Sequence, residues 1–332
     1  MLRWRNLKKL LAIFKDMKYT DTGKKDTRSG FGQGLLEAGR ENGNVLALTA
    51  DLKGSLKMDA FAEEFPERFI QCGIAESNMV GVAAGLALTG KIPFCGSFAE
   101  FITGRVYDQI RQEVGYGHTN VKLASSHAGI TLGEDGATHQ TMEDIALMRA
   151  VPGMCVLVPC DYNQTRQATL AAVRYEGPVY LRFGRPSVPN FTAADEPFEI
   201  GRAYLLEEGK DVTIFACGHL VWEALLAADT LASEGIKAEV INVATIKPLD
   251  EETVLASVRK TRCAVVAEEH NMAGGLGECL AGLLSEKCPT PLRYINGADK
   301  FGQSGSPSEL MKAYGLDAGH IVAAALEVIK CK

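Results

Sequence analysis

Short apolar runs alternating with helix-patterned stretches, in two successive blocks, constrain this chain more than any other feature. In the first block, residues 45–50, 69–72, 92–95, 121–125, 155–158 and 179–182 read as buried strands. Helical stretches at 77–88, 100–113, 141–149 and 162–174 lie between them. Apolar strands separated by helices predict a mostly parallel sheet covered by helices on both faces. The second block repeats the pattern, with strands at 212–216, 238–243, 263–267 and 292–295 and helices at 220–233, 251–259, 276–285 and 320–329. Residues 184–197, rich in proline and small side chains and without periodicity, read as the linker.

A length of 332 residues suits two such α/β domains better than one core. The expected division is an N-terminal extension over 1–26, a first domain over 27–190 and a second over 191–332. The start, residues 1–14, is basic and leucine-containing, with no apolar run near the ~18 residues a membrane span needs and no cleavage site after it. An amphipathic surface helix and an upstream start codon, with Met17 as the alternative start, both fit, and no function is placed there.

A net charge of −6 argues against a nucleic-acid binder and leaves room for a phosphorylated small molecule, which a few local arginines can hold. The nine cysteines form no Cys-x-x-Cys pair, and an odd count without a secretory signal suits a reducing cytoplasm. Neither a metal site nor a disulfide framework is expected from their spacing. In open α/β sheets ligands bind at the carboxyl ends of strands. Asp51, residues 73–76 and 96–98, Ser126, His127 and Arg182 all fall at or just after such ends, so the first domain should carry a site along one edge. The clustering leaves the reaction open.

The run Gly30-Phe31-Gly32-Gln33-Gly34 followed by Asp51 mimics a dinucleotide fingerprint. It lacks the third glycine, Leu35 standing there, and no strand precedes it, so a helix start is the better reading. Gly274-Gly275-Leu276-Gly277 fails similarly and fits a tight turn into a helix.

Residues 127–140, containing Gly129, Gly133, Glu134, Asp135, Gly136, Thr138 and His139, resemble the signature of transketolases and their thiamine-diphosphate relatives. Upstream, Gly73-Ile74-Ala75-Glu76 resembles the segment of the family's catalytic glutamate. Arg149-Ala150-Val151-Pro152-Gly153, Pro159-Cys160-Asp161, Lys247-Pro248-Leu249-Asp250 and Glu268-Glu269-His270-Asn271 follow in the family's order. The Gly-Asp-Gly…Asn motif that holds the cofactor diphosphate is missing, and the chain is too short to contain its domain. The resemblance therefore implies the pyrimidine-binding plus C-terminal subunit of a split transketolase. Thiamine diphosphate would be shared with an N-terminal diphosphate-binding partner subunit, which would bind most of the Mg2+ or Ca2+. A self-dimer within an α2β2 assembly is expected, with cytoplasmic location, sugar-phosphate substrates and no nucleic-acid or membrane partner.

By the same resemblance, Glu76 touches the aminopyrimidine ring and favours the imino tautomer, whose nitrogen removes the thiazolium C2 proton. By itself, an acidic residue in a helix first turn is an ordinary complement to the helix dipole. Its place between a strand and an apolar helix tends to keep a carboxyl protonated. Phe98 and Phe101 match pyrimidine-packing aromatics, although core packing accounts for Phe98 equally well. Asp51 matches an acidic position near the cofactor. His127 and Asp135 would contact sugar hydroxyls, and His139 would lie near the reacting carbon. Arg28 and Arg182 match the arginines that hold the sugar phosphate, with Ser55 beside them and Arg185 as an additional candidate. His118 and His320 read as surface residues.

The implied reaction is transfer of a two-carbon ketol unit from a ketose phosphate to an aldose phosphate. A deoxyxylulose-phosphate synthase-like or 2-oxo-acid dehydrogenase β-like subunit is the alternative within thiamine chemistry; Gly104 and Tyr107-Asp108-Gln109 lean towards the former. A non-catalytic stabilising subunit is the alternative outside it.

Overall fold

The computed structural model describes residues 19–332. The features read over 1–16 therefore lie outside the described residues. A short strand β1 (Lys25–Asp26) leads into the helix Thr27–Glu41, which Asp26 caps by accepting from Ser29 N at 3.0 Å. The next strands are β2 (Val45–Thr49), β3 (Phe69–Gln71), β4 (Ile92–Phe98), β5 (Lys122–Ser126), β6 (Cys155–Leu157) and β7 (Val179–Arg182). These six pair in parallel, so their carboxyl ends share one edge. Almost every residue of β2, β4, β5, β6 and β7 is buried, as strands covered on both faces require.

After β8 (Ser187–Val188), which pairs with β1, come β9 (Tyr204–Glu207), β10 (Val212–Ala216), β11 (Ala238–Asn242), β12 (Thr245–Lys247), β13 (Ala264–Ala267) and β14 (Leu292–Ile295). The second sheet has the order β14-β13-β10-β11-β9, all parallel except for the antiparallel edge strand β9. The first has the order β12-β6-β7-β5-β4-β2-β3. Its outer strand β12 comes from the second block and runs antiparallel to β6, so the C-terminal half completes the sheet of the N-terminal half. Lys247 reinforces this seam by donating to Arg149 O at 2.9 Å and Val151 O at 2.7 Å.

Three features differ from the sequence expectation. The stretch expected as one helix over 100–113 is broken into Ala99–Ile102, Tyr107–Gln109 and a wide π-turn Ile110–Tyr116, because β4 runs on to Phe98 and Gly104 interrupts the helix. Residues 184–197 are strapped down rather than loose. Asp161 caps the helix Tyr162–Arg174 and also accepts from Phe191 N at 2.9 Å and Thr192 N at 2.7 Å. The strands β1, β8, β9 and β12 are additional. The glycines of the false fingerprint sit inside the helix Thr27–Glu41, where a Cβ on Gly30 or Gly34 would strike the backbone of Tyr162 or Arg166. Close helix packing accounts for them.

Candidate active site

The parallel strand ends place Asp51, Glu76, Phe98 and His127 along one edge. Asp51 follows β2 with φ 62°, and its N–H donates to Gln71 Oε1 at 2.8 Å, tying the ends of β2 and β3. After β3, the chain turns at Gly73 and enters the helix Glu76–Leu88, placing Glu76 in its first turn. The Glu76 side chain is only 3% exposed. Its carboxylate accepts from Ser97 Oγ at 3.4 Å and from Arg105 Nη1 at 3.3 and 3.4 Å.

Arg105 was not singled out by the sequence. Its guanidinium lies over the Phe101 ring, 4.1 Å from the centroid, while pairing with Glu76. Phe101 stacks on Phe98 with centroids 5.8 Å apart, and Phe98 stacks on His127 at 3.8 Å. His139 meets Phe101 edge-on at 5.2 Å. A continuous stack thus runs from the Glu76 carboxylate to His127.

Burial, aided by the charges of Arg28 and Arg185, pulls the His127 pKa down to about 3. The ring is therefore neutral near pH 7, with Nδ1 bonded to Ser126 Oγ at 2.8 Å. Arg28 donates to Ser55 O at 3.1 Å and lies 3.3 Å from Asp26. Burial lowers its pKa; Asp26 opposes this and the positive Arg185 adds to it. Arg185 donates to Leu132 O at 2.6 Å and to Glu134 Oε2 at 2.8 Å. The two guanidinium groups lie close enough to repel each other. Asp135 is exposed on the loop between His127 and His139.

Arg182 corrects the expectation. It is 5% exposed and locked to the fully buried Asp144, with Nε–Oδ2 at 2.6 Å and Nη2–Oδ1 at 3.2 Å. Nη2 also donates to Glu269 O at 2.8 Å, and Tyr180 completes the cluster by donating to Asp144 at 2.5 Å. The guanidinium has its partners inside the protein. Arg185, three residues on, faces the edge instead. His118 is exposed; His320 is too, and it pairs with Asp317 at the start of the last helix.

Among the described residues, no group of three or more His, Cys, Asp or Glu side chains is placed to hold a metal. No helix among them is long and apolar enough to cross a membrane. A cavity of about 240 Å3, lined by Gln140, Met142, Glu143, Asn271, Asp299 and Lys300 among others, shares no residue with the ring stack.

Fold and site together define a two-domain α/β protein with a buried carboxylate, a stack of aromatic rings and two neighbouring arginines near one sheet edge. Residues 23–190 match the transketolase pyrimidine-binding domain, and residues 201–321 match the transketolase C-terminal domain. The chain is 46% identical over 298 residues to a 6-deoxy-6-sulfo-D-fructose transketolase subunit of a Clostridium strain, covering 90% of this chain and 92% of that one. One subunit of an apulose-4-phosphate transketolase from Phocaeicola vulgatus is 39% identical over 304 residues, 91% of this chain and 97% of that one. A solved split-gene transketolase, an inactive β4 tetramer, superposes with a TM-score of 0.87 at 47% identity, covering 92% and 98% of the two chains. The chain belongs to the transketolase family and corresponds to the pyrimidine-binding, C-terminal subunit of a split transketolase.

Proposed function

We propose that this chain, paired with a diphosphate-binding partner subunit, transfers a two-carbon ketol unit from a ketose phosphate to an aldose phosphate. One observation carries the reading: Glu76 is buried at a sheet edge, and a flat cationic group bridges its carboxylate and the Phe101 ring. The planar Arg105 guanidinium lies against the Phe101 face beside Glu76, the position that a flat pyrimidine ring would take in this reading. Glu76, Phe101 and Phe98 would hold the pyrimidine of thiamine diphosphate, with Asp51 nearby. The cofactor, when bound, supplies the carbon that accepts and releases the two-carbon unit.

The chain's own residues do the rest. Glu76 keeps a proton-exchanging carboxyl at the ring nitrogen, away from water. Arg28 and Arg185 take the terminal phosphate, with Ser55 beside Arg28, and fix the reacting carbons by holding the remote end of the sugar. His127, neutral and anchored through Nδ1, offers Nε2 to a sugar hydroxyl, and Asp135 offers a carboxylate to another. His139, edge-on to Phe101, handles protons on the substrate oxygens as the C2–C3 bond breaks in the donor and re-forms with the acceptor aldehyde. The partner would hold the diphosphate and its Mg2+ or Ca2+. Two copies of each subunit in an α2β2 assembly would give paired sites between subunits.

Transfer should be assayed with the chain alone, the partner alone and the pair. Donors should include xylulose 5-phosphate and 6-deoxy-6-sulfofructose, with ribose 5-phosphate as an acceptor. Activity only in the pair is expected. Turnover of pyruvate without any ketose donor would move the assignment to the synthase-like alternative.

A further inference from the structure

Glu269, on the loop after β13 in the second domain, is hydrogen-bonded to the signature loop of the first. Its Oε1 accepts from Thr131 N at 2.6 Å. Its side chain fills the space above Gly129, whose φ is +83° and where any Cβ would collide with the carboxylate. Its backbone oxygen accepts from Arg182 Nη2, the guanidinium that Asp144 holds in place. Oε2 lies 3.7 Å from His219 Nδ1. A carboxylate 3% exposed is costly to bury, and here its hydrogen bond goes to the segment that carries His127, Asp135 and His139.

Two further contacts hold the same loop. Gln140 Nε2 donates to Ile130 O at 2.9 Å, and to Gln303 O of the second domain at 3.0 Å. Gly129 N donates to Thr141 O at 2.9 Å, closing the loop on itself. Glu269 thus fixes the loop four residues after His127, while Gln140 fixes it one residue after His139.

We infer that Glu269 is a positioning residue for the transfer reaction: the second domain uses its carboxylate to set the 127–140 loop in the conformation that presents His127, Asp135 and His139 to the sugar. This rests on the proposed ketol transfer for its catalytic half, but not for its structural half. Loss of the carboxylate lets the loop relax from Thr131 outward, while the Glu76 pocket, built on β4 and the helix Glu76–Leu88, keeps its shape.

The test compares Glu269→Ala and Glu269→Gln with the wild type, as the full chain and in complex with its partner. Hydrogen exchange is read on peptides covering 128–134 and 76–88. In Glu269→Ala, exchange at 128–134 should rise at least tenfold with 76–88 unchanged. In the complex, kcat/KM should fall at least tenfold, with KM for the ketose phosphate carrying much of the loss and cofactor affinity unaltered. Glu269→Gln, whose amide oxygen still accepts from Thr131 N, should recover most of both. Gly129→Ala approaches from the loop side and should reproduce the loop exchange with Glu269 intact, which covers the case in which Glu269→Ala fails to fold. Unchanged exchange at 128–134 would overturn the proposal, as would a loosened loop with unaltered kinetics. A wild-type complex without transfer activity, but with the loop loosened in Glu269→Ala, would instead count against the ketol-transfer reading while upholding the anchor.

Discussion

Two arginine–carboxylate pairs in this protein use the same chemistry for different ends. At the sheet edge, Arg105 reaches Glu76 at 3.3 Å with half of its side chain in solvent. In the interdomain seam, Arg182 reaches Asp144 at 2.6 Å with both side chains buried and a tyrosine completing the cluster. A half-exposed pair of long reach contributes about 0–1 kcal/mol and exchanges partners easily. A fully buried, doubly bonded pair is committed to the fold, because removing one member strands the other in a low dielectric. Burial decides which arginine is available for a ligand, and burial is what a local sequence window does not contain.

The seam should therefore respond through stability. Arg182→Ala is expected to cost about 3–5 kcal/mol, the usual result of breaking a buried pair. Chemical denaturation measures it. A loss below about 1 kcal/mol, the range of an exposed pair, together with a selective rise in KM for the ketose phosphate, would return Arg182 to the phosphate site.

At the edge, the response should be kinetic. Arg185→Ala is expected to raise KM for the ketose phosphate about 10- to 100-fold, the equivalent of about 1.5–3 kcal/mol for hydrogen bonds to a charged group. The denaturation midpoint should barely move. Equal losses in stability and affinity would erase the distinction between the two regions.

The histidines extend the comparison. Burial lowers the pKa of His127 at the edge to about 3 and that of His219 in the seam to about 4, against the ordinary 6.5. Below pH 6.5 the unfolded chain binds protons that these folded rings refuse, so stability should fall as pH drops from 6.5 towards 4, by at most about 1.4 kcal/mol per pH unit for each ring. His219→Asn should flatten that slope and spare KM. His127→Asn should flatten it too but also impair transfer. Denaturation series at successive pH values decide this, and an unchanged slope in both variants would contradict the neutral assignment.

The smallest effect belongs to Arg105. Because its guanidinium occupies the Phe101 face proposed for the pyrimidine, Arg105→Ala should tighten cofactor binding by the assembled enzyme a few-fold. Calorimetric titration with thiamine diphosphate would show it; weaker binding would make Arg105 a cofactor ligand instead.

What the sequence revealed and concealed follows the same physical division. Strands buried on both faces announce themselves as apolar runs, so most of both sheets was legible. β9 was not, because it is an edge strand that leaves Leu205 exposed and ends on Glu207. β12 is three residues long and joins the other domain's sheet, a pairing no local pattern encodes. Glu76 and His127 were legible as residues beside strand ends, but it was the resemblance, not a local pattern, that grouped them with His139. The pairing of Arg182 was hidden because Asp144, its partner, lies 38 residues upstream and Glu269 lies 87 downstream. Arg105 escaped notice for a similar reason: it is placed over Phe101 by the helix break at Gly104, and it meets Glu76 from 29 residues away.

The most direct measurement is the ketol-transfer rate of the assembled pair with Glu76 intact and with Glu76→Ala, each variant checked for assembly by sedimentation. Loss of a proton-transferring carboxyl predicts a fall of about two to four orders of magnitude with assembly unchanged. A Glu76→Ala pair that assembles and retains wild-type turnover would show that the chemistry does not pass through this sheet edge.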